Sequence, residues 1–190
     1  NIGFALMDYD SEKLLNHGNI PLAGGNTLMR IAVGVQRLYK QFDAKTVSVL
    51  AIEESFFDKN PKTGKLISYC IGACIYAGLA RGIPEAFLMA PNRIKKAFTS
   101  NGWASKQDVV AQANLEYRLQ LRAKINPADH NDNEDEADAI ATASAYCTLH
   151  KTGTLFAIEQ AKTAKRVKKS KEKKEAKKKN PEKKEGELQL

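Results

Sequence analysis

Thr46-Val47-Ser48-Val49-Leu50-Ala51-Ile52-Glu53-Glu54 is the stretch on which the fold turns. A short run so rich in apolar and β-branched residues reads as a strand buried on both faces, which belongs in the middle of an α/β sheet. The run ends in carboxylates. Because α/β sheets collect their chemistry at strand ends, Glu53 becomes the first candidate site residue.

Upstream, residues 2–7 read as a strand, Asp8-Tyr9-Asp10-Ser11 as a turn and residues 14–20 as a strand returning along the first. A helix starting at Thr27 places Leu28, Ile31, Ala32, Val35, Leu38, Tyr39 and Phe42 on a 3.6-residue period. Downstream come a loop at Pro61-Lys62-Thr63-Gly64, an Ala- and Gly-rich helix over 67–81, and a short strand over 86–89 that stops before Pro91. Helices are then expected over 92–98, 106–124 and 134–149. A hairpin followed by α, β, α, β and helices predicts an α/β fold with a mixed sheet flanked by helices.

The last of these helices opens on Glu134-Asp135-Glu136-Ala137-Asp138 and runs on through small and apolar residues, so it carries carboxylates to a buried edge. At about 100° per residue, Asp135 and Asp138 project side by side from the first turn, roughly 60° apart. Anions held that close repel, and a divalent cation is the usual compensation. With Glu53 they form an oxygen-only set, suited to Mg²⁺ or Mn²⁺ rather than zinc. Other constellations fail on spacing. The segment from Asp129 has Glu134 where a calcium loop needs Gly, Cys147 and His150 have no second zinc pair, and His17 and His130 have no adjacent nucleophile.

The 190 residues carry a net charge of +8, which is unevenly placed. Residues 161–190 hold 13 Lys or Arg against 5 Glu, while residues 1–160 balance at 17 and 17. We therefore expect a domain over 1–160 and a disordered Lys-rich tail over 161–190 that either adds affinity for nucleic acid or only confers solubility. No apolar run reaches 18 residues and no signal segment is evident, so no membrane role and a cytoplasmic location are expected. Cys70, Cys74 and Cys147 fall in apolar helical stretches and read as reduced, buried thiols.

Five segments in order give the chain a specific resemblance: Asn1-Ile2-Gly3-Phe4-Ala5, Leu50-Ala51-Ile52-Glu53-Glu54-Ser55-Phe56, Arg93-Ile94-Lys95-Lys96, Ser105-Lys106-Gln107-Asp108-Val109 and Asp135-Glu136-Ala137-Asp138-Ala139-Ile140-Ala141. It resembles the RuvC-type Holliday-junction resolvases of the RNase H-like superfamily, from Ile2 to about His150. That resemblance implies a homodimeric, Mg²⁺-dependent endonuclease that resolves four-way DNA junctions in recombination and repair. It implies Glu53, Asp135 and Asp138 as metal ligands, and Lys95 and Lys106 beside the scissile phosphate, with Lys96 competing with Lys95. It also implies that Phe56, or its neighbour Phe57, stacks on an exposed base at the junction centre. The family's sheet begins with a central strand bearing a fourth carboxylate, which this sequence does not supply before Ile2. The expectation is a fold lacking that strand and a chain that binds metal poorly, folds less stably and cleaves nothing, Asp8 being badly placed to substitute. Alternatives of other classes are an inactive junction- or RNA-binding protein of the same fold and a nuclease acting on RNA or RNA–DNA hybrids.

Overall fold

The computed structural model describes residues 1–54, 61–124, 133–157, 168, 169 and 172. Phe56, Phe57, His130 and nearly all of the expected tail lie outside the described residues. The chain divides into two compact units, Asn1–Thr148 and Leu149–Leu190. The elements that position the site belong to the first.

The hairpin forms as predicted. β1 (Ile2–Met7) and β2 (Leu14–Ile20) pair antiparallel from Ile2 opposite Ile20, with an irregularity between Leu6 and Met7. The turn between them is closed by the Asp8 carboxylate, which accepts from the Ser11 backbone N–H at 2.8 Å and from its hydroxyl at 2.5 Å. α1 (Thr27–Leu38) begins where Asn26 accepts from the Met29 N–H at 3.1 Å, a side-chain cap for an otherwise orphaned donor. It buries Ile31, Val35 and Leu38, whereas Leu28 and Ala32 face solvent and the helix stops before Phe42.

β3 (Val49–Glu53) starts later than the sequence pattern implies. Residues Ala44–Thr46 instead wind into a 3₁₀ turn, capped by Asp43 through the Lys45 N–H at 3.0 Å. Nor is the strand sealed on both faces: all five of its residues are half-buried, and its only hydrogen-bonded neighbour among the described residues is β4 (Glu85–Met89), parallel, with Glu53 opposite Met89. The strands thus form two ladders, one antiparallel and one parallel.

α2 (Pro61–Leu79) begins six residues before the expected 67, the supposed loop being its first turn. α3 (Pro91–Thr99) opens on a proline, which suits that position because its fixed φ is helical and its missing N–H would have been unpaired anyway, and α4 (Lys106–Tyr117) starts on a capping box of Ser105 and Asp108. α4 stops short of the predicted 124 because Arg118 turns left-handed (φ 55°) and Asn114 bonds Leu121 through both of its side-chain atoms, at 2.7 and 3.0 Å. α5 (Glu134–Lys151) packs Ala137, Ile140 and Ala145 with no exposed surface. Cys74 and Cys147 are buried as expected and form no disulfide, whereas Cys70 is only half-buried. Among the described residues no helix is long and apolar enough to cross a membrane.

Candidate active site

Glu53 closes β3, and the Glu54 N–H continues the ladder onto the Met89 carbonyl at 2.8 Å, so the carboxylate leaves the sheet at a fixed point. The start of α5 is fixed too. β1 runs against it so closely that a Cβ on Gly3 would lie 1.8 Å from the Asp135 carbonyl oxygen. The segment after α4 holds it from another side: Arg122 and Asn133 exchange two hydrogen bonds (2.8 and 3.1 Å), and the Lys124 N–H donates to the Glu134 carboxylate at 3.1 Å.

These constraints put Glu53 within the field of the α5 carboxylates. Burial pushes the Glu53 carboxyl up to about 7, and the negative charges of Asp138 and Asp135 add to the rise against the opposing pull of Lys106 and Lys95. Burial likewise raises Asp138, again with Lys106 and Lys95 opposing and Asp135 assisting. The Lys106 ammonium lies 3.5 Å from Asp138 and 3.2 Å from Glu134; desolvation pulls its pKa down, but Asp138, Glu134 and Asp135 together outweigh that. Lys95 reaches across to donate to the Ala104 carbonyl at 2.6 Å. Five of the residues singled out from sequence, Glu53, Asp135, Asp138, Lys95 and Lys106, therefore form one electrostatic group. Lys96 does not belong to it. It is exposed and lines a groove beside Gly102 and Trp103.

Three participants were missed. Glu134 and Glu136 are buried, and Glu136 pairs with His17 of β2 while accepting from the Asn133 amide at 2.9 Å. This ties the hairpin to α5 through a carboxylate. The helical spacing of Glu134 to Asp138 was a usable signal for the shared lysine; nothing local marked His17 as the partner of Glu136.

The donor chemistry of Glu53, Asp135 and Asp138 fits a hard divalent cation: oxygen ligands only, two of them in an environment that disfavours their charge. Among the described residues, however, no three His, Cys, Asp or Glu side chains converge tightly enough to hold a metal ion as they stand. Coupling is present, and closure of a ligand shell is not.

Residues 1–146 match the family model described as Crossover junction endodeoxyribonuclease RuvC. The chain belongs to the RuvC family. It is 30% identical over 155 residues to the crossover junction endodeoxyribonuclease RuvC of Pseudothermotoga lettingae, covering 77% of this chain and 90% of that protein. To the RuvC of Rubrobacter xylanophilus it is 28% identical over 156 residues, covering 79% and 80%. Among solved structures, Thermus thermophilus RuvC superposes with a TM-score of 0.60 at 20% identity, over 80% of this chain and 89% of that one. The same protein in complex with Holliday junction substrate gives 0.56 at 22% identity, over 75% and 81%. The fold is accordingly that of RuvC, an RNase H-like α/β arrangement, and nucleases of the family depend on divalent metal.

Proposed function

We propose that the protein is a structure-selective DNA endonuclease that resolves four-way junctions by metal-dependent phosphodiester hydrolysis, acting in recombination and repair in the cytoplasm. The observation that carries the reading is the meeting of the β3-end carboxylate Glu53 with Asp138 and Asp135 of α5 beside two lysines. Membership of a family whose relatives are named crossover junction endodeoxyribonucleases supports it.

Glu53, Asp135 and Asp138 would hold Mg²⁺ or Mn²⁺, which when bound activates water and stabilises a leaving oxygen. Lys106 and Lys95 offset the repulsion that an entering phosphate would meet from these carboxylates. Phe56 stacks on an exposed base at the junction centre, Lys96 contacts DNA on the outer side of α3, and the basic residues of 161–190 add positive charge along the backbone. The working unit is a homodimer. A stripe on α2, Leu66, Tyr69, Tyr76 (77% exposed) and Leu79, supplies an apolar helix face suited to a second copy.

The test is binding to a four-way junction, a linear duplex of the same sequence and an RNA–DNA hybrid. Preference for the junction is expected, and any incision in Mg²⁺ or Mn²⁺ should vanish in Asp138→Asn while binding persists. Equal affinity for all three nucleic acids would overturn the reading. Preference without incision under any metal would leave a junction-binding protein of the same fold.

A further inference from the structure

The turn between α3 and α4 carries a feature outside the acidic group. Trp103, the chain's one tryptophan, is 90% exposed. It borders a groove of about 360 Å³ whose lining includes Asn92, Arg93, Lys96, Ser100 and Asn101. Arg93 and Lys96 are one turn apart on α3, and the lining contains no carboxylate.

An indole left in water normally has high mobility, yet its backbone here is pinned. The Trp103 N–H donates to the Asn101 side chain at 3.0 Å, and the Ala104 N–H to the Asn101 carbonyl at 3.1 Å. Thr99 bonds both the Lys95 and Asn101 carbonyls, at 2.8 and 3.1 Å. Gly102 presses on the start of α3, where a Cβ would come within 3.1 Å of the Asn92 oxygen. Lys95 holds Ala104 from the other side at 2.6 Å. A platform ordered in advance loses little entropy when something settles on it.

We propose that Trp103, Arg93 and Lys96 form a subsite for one unpaired nucleotide of bound DNA, the base stacking on the indole and the phosphate lying between the two cations. Every base offers a π face, so an aromatic beside cations is the standard chemistry for single-stranded nucleic acid without sequence preference. Asn92, Ser100 and Asn101 provide neutral donors and acceptors for the base edge. The inference rests on the proposed function only in taking DNA as the ligand.

The lone tryptophan reports on itself. Its emission is followed while the protein is titrated with oligo-dT of about 15 nucleotides and, separately, with a four-way junction, binding being read independently from the anisotropy of labelled DNA. Quenching that tracks binding is expected. Trp103→Ala should weaken oligo-dT binding about tenfold, the size of a single base–aromatic stack, and Trp103→Phe should recover most of it. Arg93→Ala and Lys96→Ala should each shallow the salt dependence. DNA bound with emission unchanged, Trp103→Ala binding as tightly as the parent, no binding to either DNA, or emission that changes only with protein concentration would each overturn the subsite. Quenching by oligo-dT without preference for the junction would sustain the subsite and sink the junction reading; junction preference without quenching would do the reverse.

Discussion

Glu53 holds its proton to about pH 7, against an ordinary value of 4.5, chiefly because it is buried and then because Asp138 faces it. Between those two values the folded protein binds a proton that the unfolded chain has released, so this residue's contribution to stability falls as pH rises and its penalty is complete above 7. Thermal melts from pH 4.5 to 8 should show the decline, and Glu53→Gln should flatten it. A divalent cation that takes the ionised carboxylates should raise the melting temperature at pH 8 and have almost no effect at pH 5. At this scale the sequence was informative about residue type and poor about facing. Glu53 stood out because it ends an apolar run, and Asp135 and Asp138 because of their spacing. The run Glu134 to Asp138 gives each carboxylate an equal claim, however, and only the elements crossing it separate the ones that meet Lys106 from Glu136, which meets His17. Lys95 and Lys96 were likewise one residue apart in plausibility and lie in different settings.

Among the elements, β1 and α5 depend on each other through a missing side chain. Gly3→Ala would drive a methyl into the Asp135 carbonyl, and since that approach is backbone on both sides, neither partner can move away alone. We expect a loss of about 3 kcal/mol, seen as a melting temperature roughly 6 to 12 °C lower, together with weaker metal-induced stabilisation because Asp135 shifts. A melting temperature within a degree or two of the parent's would show that the two elements are not locked. Of the helices with strong start signals, α4 at Ser105 was legible to the residue and α3, expected from 92, starts one residue earlier at Pro91. The end of α4 was not, because the apolar period continues past Tyr117 while Asn114 captures the chain at Leu121. β3 was read as central from its composition, but alternation and hydrophobicity say which residues prefer a sheet and nothing about how many neighbours a strand acquires.

For the whole molecule, the order of elements was enough to place it in the α/β class and to pair β1 with β2, whereas the register of β3 against β4 was not legible, since that pairing joins residues far apart in sequence. Charge distribution yields a further prediction. The surplus of basic residues lies beyond residue 160, so deleting everything after Lys165 should leave junction preference intact while lowering the slope of log affinity against log salt by about 0.9 for each phosphate the arm no longer neutralises. An unchanged slope would make the segment a bystander. Finally, Cys70 and Cys74 lie one turn apart on α2, and a hydrogen bond from the Cys74 thiol brings Cys70 down to about 7 while Cys74 is pushed up. Cys70 is also the one half-buried thiol of the three. A maleimide dye at neutral pH should therefore attach there first, on the helix whose outer stripe is proposed to meet a second copy. Two such dyes brought together by pairing of α2 would quench each other, turning a pair of packing residues into an optical ruler for assembly; brightness proportional to concentration throughout would mean that the helices never meet.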